Sequence, residues 1–290
     1  MARIREIKKR IGAVQTIQRI TKTMQMIATA KFTTAVQRAQ ASRPYTEKIQ
    51  GLVGEVLAGT QDFEHPLIDG PADSPRRERL LVIASNRGLC GAYNANVLRT
   101  GMEHVRHLRG EGRELDLETA GKKAVAHFRF QQVEVAHRHT IADQPPYDLV
   151  EALGEQYIED FLAGKHDAVR VASMHFVSNA RQVPRVIQIL PLQPATEHTE
   201  AAGPRASYDF SPSAEEILGR LLPLAVKTVL FQAFLDAAVS EHIMRMVAMK
   251  AATENAGDLR KLLTRNYNRA RQTQITTELM EIIAGAAALT

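Results

Sequence analysis

Apolar side chains recur every three or four residues at both ends of the chain. Near the N-terminus the series is Ile4, Ile7, Ile11, Val14, Ile17, Ile20, Met24, Ile27, Phe32, Ala35 and Ala39, with no proline before Pro44. This period predicts one long amphipathic helix. The C-terminal series is Val247, Ala252, Ala256, Leu259, Leu263, Tyr267, Ala270, Ile275, Leu279 and Ile282, and Pro223 is the last proline. A helix over about fifty residues reaches roughly 75 Å, wider than a domain core, so its stripe needs another long helix as partner. The first helix enters whatever lies between and the last leaves it, so the two pair antiparallel. The short steps at Ile17 and Ile20 break the alternation and predict a loosely wound stalk rather than a strict heptad zipper.

Between the ends the period changes. Leu80-Leu81-Val82-Ile83-Ala84 is a short continuous apolar run, which suits a strand buried on both faces. Further strands are expected at Leu115–Thr119, Val133–His137, Ala168–Phe176 and Val183–Leu192, and helices at residues 95–109, 121–130 and 149–163. Alternation of strands and helices predicts a Rossmann-like, doubly wound α/β domain, with the last two strands as an antiparallel hairpin at its edge. The expected division is an N-terminal coiled-coil helix over 1–58, a linker over 59–78, the α/β domain over 79–193, a polar loop over 194–212 and a C-terminal helix over 213–290. The coiled-coil part of that last helix runs from about 240. Pro44 weakens the first helix and Pro223 kinks the last, while Ser213 and Glu216 form a capping box.

Charge changes the picture at the N-terminus. Residues 1–43 hold ten Lys or Arg, Lys9 and Arg10 among them, against the single acid Glu6. So lopsided a helix is more than plain solvation asks, which leaves a transit peptide, a nucleic-acid-binding helix or a stalk against an acidic protein partner. A transit peptide would be serine-rich, yet Ser42 is the first serine, and a nucleic-acid site would interleave aromatics before Phe32. No apolar run approaches the length of a membrane span, and no signal-peptide core is present.

Candidate chemistry is thin. The turn Asn86-Arg87-Gly88-Leu89-Cys90-Gly91 follows the first strand, where a nucleotide would sit in such a domain. It has neither the dinucleotide glycine pattern nor the phosphate-loop lysine, so a tight turn is the better reading. Cys90 is the only cysteine, which excludes an internal disulfide, and it reads as a small buried residue. His137 and His139 share a strand face without a third ligand, and His104 and His107 read as surface residues. No catalytic motif is present.

Three stretches carry a resemblance. The opening REIKKRIGAVQTIQRITKTMQMIATAKF, the central LLVIASNRGLCGAYN and the closing SEHIMRMVAMKAATENAGDL with YNRARQTQITTELMEIIAGAAA closely resemble the gamma subunit of F-type ATP synthases, in the right order. The resemblance implies a central rotor shaft without a catalytic site, one copy per complex. ATP and magnesium would belong to partner subunits, and no cofactor to this chain. It implies contact with the ring of three alpha and three beta subunits through Lys9, Arg10, Met24, Arg245, Gln272, Thr276, Ile282 and Ile283. Contact with the c-ring and epsilon subunit is implied at Tyr208, Asp209 and Phe210. It places the protein peripherally on the cytoplasmic face of a bacterial-type inner membrane, with no nucleic-acid partner. The family commonly carries Asp where this chain has Asn86. The alternatives are a small-molecule or nucleotide-binding α/β enzyme with helical oligomerisation arms and, third, a nucleic-acid-binding coiled coil.

Overall fold

The computed structural model describes residues 2–59, 65–70, 76–193 and 213–287. The elements are α1 (Ala2–Gly59), α2 (Pro66–Asp69), β1 (Arg77–Ile83), α3 (Tyr93–Gly110), β2 (Glu114–Ala120), α4 (Lys122–Phe130), β3 (His137–His139), α5 (Tyr147–Leu162), β4 (Ala168–Ser178), β5 (Arg181–Leu190) and α6 (Ala214–Ala287). They form two compact units, one of Met1–Ala30 with Arg245–Thr290 and one of Lys31–Met244.

The larger unit is built on a five-stranded sheet of order β3-β2-β1-β4-β5, parallel except for the β4–β5 hairpin. The apolar run of β1 serves both faces. Leu80 and Val82 pack with Val97, Val105 and Phe128 of α3 and α4. Leu81 and Ile83 pack on the other face with Tyr157 and Phe161 of α5 and with Leu222, Val226 and Leu230 of α6. A smaller cluster joins Ala35 and Ala39 of α1 to Phe176, Leu235 and Val239.

Several expectations are corrected. β3 is His137–His139 rather than Val133–His137, because β2 first meets its neighbour at Glu118 opposite His137. Val133 instead turns inward after Gln132, whose φ is 56°. α1 runs unbroken through Pro44, whose ring lies on an exposed face, so water can take the carbonyl bond that proline cannot supply. α6 is likewise continuous through Pro223. At its start the Glu216 N–H donates to Ser213 Oγ at 3.2 Å, but the Glu216 carboxylate turns to Arg220 and leaves the box half made. One 18-residue stretch of α6 is apolar enough by length and composition to cross a membrane, against the expectation that none exists. It is 61% buried, so the domain core uses that apolarity.

A filled crevice and a heptad pair

The strand order reverses beside β1, and ligands of open α/β sheets bind at such a switch point. Here the turn is tied down from within. Asn94 Oδ1 accepts from the Ser85 N–H at 3.0 Å, and Asn94 Nδ2 donates to Ser85 Oγ at 2.8 Å and to Cys90 Sγ at 3.1 Å. Cys90 is thus a buried partner of the turn. Asn86 uses both ends of its amide: Nδ2 donates to the Ile141 carbonyl at 2.8 Å, and Oδ1 accepts the Lys122 N–H at 3.3 Å. An aspartate there would keep the second bond and lose the first, having no hydrogen to give. The crevice is floored by Ala84 and Gly121 and closed by Phe234, Ala237, Ala238 and Glu241 of α6, which leave about 30 Å³. That is room for a water, whereas small-molecule pockets run to roughly 300 Å³ or more.

Charges are buried deep in the sheet. Glu118 Oε2 accepts from Tyr157 Oη at 2.6 Å and lies 2.6 Å from His139 Nε2, while Oε1 is 3.2 Å from Arg79 Nε. Arg79 also binds Asp160 at 2.7 Å and lies over the Tyr157 ring. His139 is therefore spent on Glu118. His104 is not a surface residue as expected: its Nε2 lies 2.5 Å from the fully buried Glu78, which Arg170 also holds at 2.7 Å. Of these two helix histidines His107 alone stays exposed, beside Glu111. These pairs connect strands with one another and with helices, between residues far apart in sequence, so local periodicity could not show them.

Burial opposes ionisation of Glu118, yet the hydrogen bonds from His139 and Tyr157 and the charge of Arg79 outweigh it and hold the carboxyl below its ordinary value. The stability from this depressed value is present above the unfolded carboxylate pKa of about 4 and is lost as pH falls through the folded value. Denaturant midpoints should therefore drop steeply between about pH 5 and pH 3. Glu118→Gln should start lower at pH 7 and fall less; an unchanged slope would remove Glu118 from the acid sensitivity.

The smaller unit is a pair of helical segments with a regular seam. On α1 the shielded positions include Ile4, Ile7, Ile11, Val14, Gln18, Thr21, Gln25 and Ala28, with Met24 beside them; on α6 they include Met246, Met249, Thr253, Ala256, Arg260, Leu263, Tyr267, Ala270 and Gln274, with Arg245, Ala248, Ala252 and Gly257 beside them. Within the two main series steps of three and four alternate, the spacing of a heptad, and the added neighbours widen the seam around Thr21 and Thr253; it is more regular than the loosely wound expectation. The middle of the seam is polar or small: the Thr21 and Thr253 hydroxyls are hydrogen-bonded at 2.8 Å, and the Gln18 amide fills the space a side chain on Gly257 would take. Ile17 and Ile20 are each 52% exposed, one position off the seam. Antiparallel pairing anchored at Thr21 and Thr253 sets position n opposite about 274 − n, so α6 outruns α1 beyond Gln274. Ile275, Leu279, Ile282 and Ile283 are all more than half exposed there.

The named contact residues are scattered over this unit. Lys9 and Arg10 are exposed near its free end, Arg10 paired with Glu6 at 2.6 Å. Met24 and Arg245 are half-buried. Gln272 and Thr276 are exposed one turn apart, and the Thr276 hydroxyl donates to the Gln272 carbonyl at 3.0 Å, so only its lone pairs face outward. Tyr208, Asp209 and Phe210 lie outside the described residues.

The fold thus defines a class: an antiparallel heptad pair formed by the two chain ends, with a doubly wound α/β domain whose ligand crevice its own helix occupies. Residues 3–289 match the family described as ATP synthase. The chain is 42% identical to the ATP synthase gamma chain of Rhodopirellula baltica, over 100% of this chain and 99% of that one. It is 40% identical to the gamma chain of Leptospira biflexa, over the whole of both. A chain of the Euglena gracilis mitochondrial ATP synthase structure of OSCP, F1 and c-ring superposes with a TM-score of 0.64 at 19% identity, covering 99% of this chain and 95% of that one. The chain belongs to the ATP synthase gamma-chain family.

Proposed function

We propose that this chain is the central rotor shaft of a proton-translocating F-type ATP synthase, a subunit without a catalytic site of its own. The observation that carries the reading is the heptad pair whose second helix outruns the first and ends in the exposed apolar turns of Ile275 to Ile283. In this reading the pair turns inside the ring of three alpha and three beta subunits. ATP and magnesium are held by those partners, and the complex lies on the cytoplasmic face of a bacterial-type inner membrane. Lys9, Arg10, Met24, Arg245, Gln272, Thr276, Ile282 and Ile283 face the ring; Tyr208, Asp209 and Phe210 meet the c-ring and epsilon subunit. Coupling requires that the faces of the shaft bind the states of the beta subunit with different free energies, since equal binding would shift nothing.

An enzyme built on this fold would place its substrate at the switch point, and that crevice is filled by α6. Purification of the tagged chain from native membranes should bring alpha, beta, epsilon and c subunits with it. A solitary chain that binds a nucleotide would overturn the rotor. Within the assembled complex, Gln272→Leu with Thr276→Val should leave assembly intact and lower ATP-driven proton pumping about two- to tenfold, the factor carried by a contact of about 0.5–1.5 kcal/mol. Normal pumping in the double variant would assign both side chains to solvent.

A further inference from the structure

Beyond Pro44, α1 is sunk in the main core by Ile49, Val53 and Val56; before it, over residues 31–43, it meets the α/β domain through a weak apolar face bracketed by two charged contacts. At one end Lys31 Nζ lies 2.5 Å from Asp143 Oδ2, in the loop between β3 and α5. This hydrogen bond holds the Asp143 carboxyl below its ordinary value. About three turns further along α1, Arg43 donates to the Phe176 carbonyl at 3.0 Å, and its guanidinium lies 3.6 Å from Asp236 Oδ1. Asp236, on α6, is only 2% exposed. Its other oxygen is 2.5 Å from His175 Nδ1 of β4, and Gln232 Nε2 donates to Oδ1 at 2.9 Å. α1, β4 and α6 are therefore joined at one carboxylate.

Between these contacts the buried face of α1 is Ala35 and Ala39, flanked by the partly buried Phe32 and Val36. Alanines bury little area, and apolar contact has no direction, so such a face alone would let this stretch of the helix roll or lift. Charge-assisted hydrogen bonds fix distance and angle. We propose that Lys31–Asp143 and Arg43–Asp236–His175 are torque straps, positioning residues that stop residues 31–43 of α1 rolling or lifting off the sheet when the shaft works against a load. The inference rests on the rotor reading, and it asks of these residues something that stability alone does not: an effect that grows with load.

The test uses the whole complex in sealed vesicles. Unloaded ATP hydrolysis is measured with the proton gradient collapsed, and pumping is measured against an imposed opposing gradient. Lys31→Ala should leave unloaded hydrolysis at the wild-type rate and lower loaded pumping about two- to threefold, the factor of one partly exposed ion pair. Adding Asp236→Asn should lower it further, and the charge swap Lys31→Asp with Asp143→Lys should restore the first loss. Full loaded pumping in Lys31→Ala, or a loss that unloaded hydrolysis shares equally, overturns the straps. If Asp236→Asn prevents assembly, Lys31→Ala and its charge swap decide alone, since both groups are partly exposed. A wild-type chain that brings no alpha or beta subunit removes the rotor reading and the straps with it. A wild-type complex that pumps, with Lys31→Ala pumping equally under load, removes only the straps.

Discussion

Replacing Gly121 with alanine should cost the α/β domain more than about 3 kcal/mol, a large part of the roughly 5–15 kcal/mol that holds a domain folded. Gly121 stands between β2 and α4 with φ at +98°, a region that L side chains rarely adopt. An added Cβ would lie 2.1 Å from the Ala84 carbonyl oxygen and 2.8 Å from its carbon. Neither atom can give way alone. The Ala84 N–H is bonded to the Ala120 carbonyl at 2.8 Å, and the Ser85 carbonyl accepts the Lys123 N–H at 3.1 Å. The turn after β1 and the start of α4 would have to part, taking the bond from the Lys122 N–H to Asn86 Oδ1 with them. Gly112 separates space from backbone strain: its φ is +68°, but nothing lies within 4 Å of an added Cβ. Gly112→Ala should cost only about 1 kcal/mol. Urea midpoints of the two purified variants decide the matter, and equal losses would show that the close approach to Ala84 carries no weight.

The sheet was legible where burial imposes its own pattern. β1 and β4 are apolar because they lie in a covered part of the sheet, and their runs announced them within a few residues; the half-exposed edge strand β5 was read from its apolar end, Ile187 to Leu190. β3 was not legible, since a three-residue edge strand has no pattern to read. The heptad pair was visible as two matching helices, but its seam was misread for a physical reason. Counting apolar residues follows Ile17 and Ile20, whereas the seam passes through Gln18, Thr21 and Gln25, where a hydroxyl pair and a glycine let polar side chains pack. The His104–Glu78 bond joins α3 to β1 across the core and left no trace in local spacing. What the chain meets outside itself was legible only through family resemblance, because the side chains of exposed residues such as Gln272 face away from the chain's own elements and leave no packing pattern.

Deleting residues 1–30 should abolish ATP-driven pumping and melt the second helix of the pair, while the α/β domain stays folded. The domain keeps its whole core, since the clusters around β1 draw on Lys31–Met244 alone. The smaller unit loses half of its seam. Met249, Ala256, Leu263 and Tyr267 would then face water along a helix whose intrinsic propensity gives only marginal stability. Each large side chain uncovered forfeits up to about 1.5–3 kcal/mol, less for those already half exposed. The loss of helical signal in far-ultraviolet circular dichroism should thus exceed that of thirty residues, and the chain should self-associate through the bared stripe. The α/β domain should retain its own cooperative transition, which guards against reading a general collapse as a specific loss. If the lost signal matches only the thirty deleted residues and the chain stays monomeric, the second helix stands without the first. The exposed turns beyond Gln274 would then be held out by α6 alone, and the pairing would contribute nothing to the shaft.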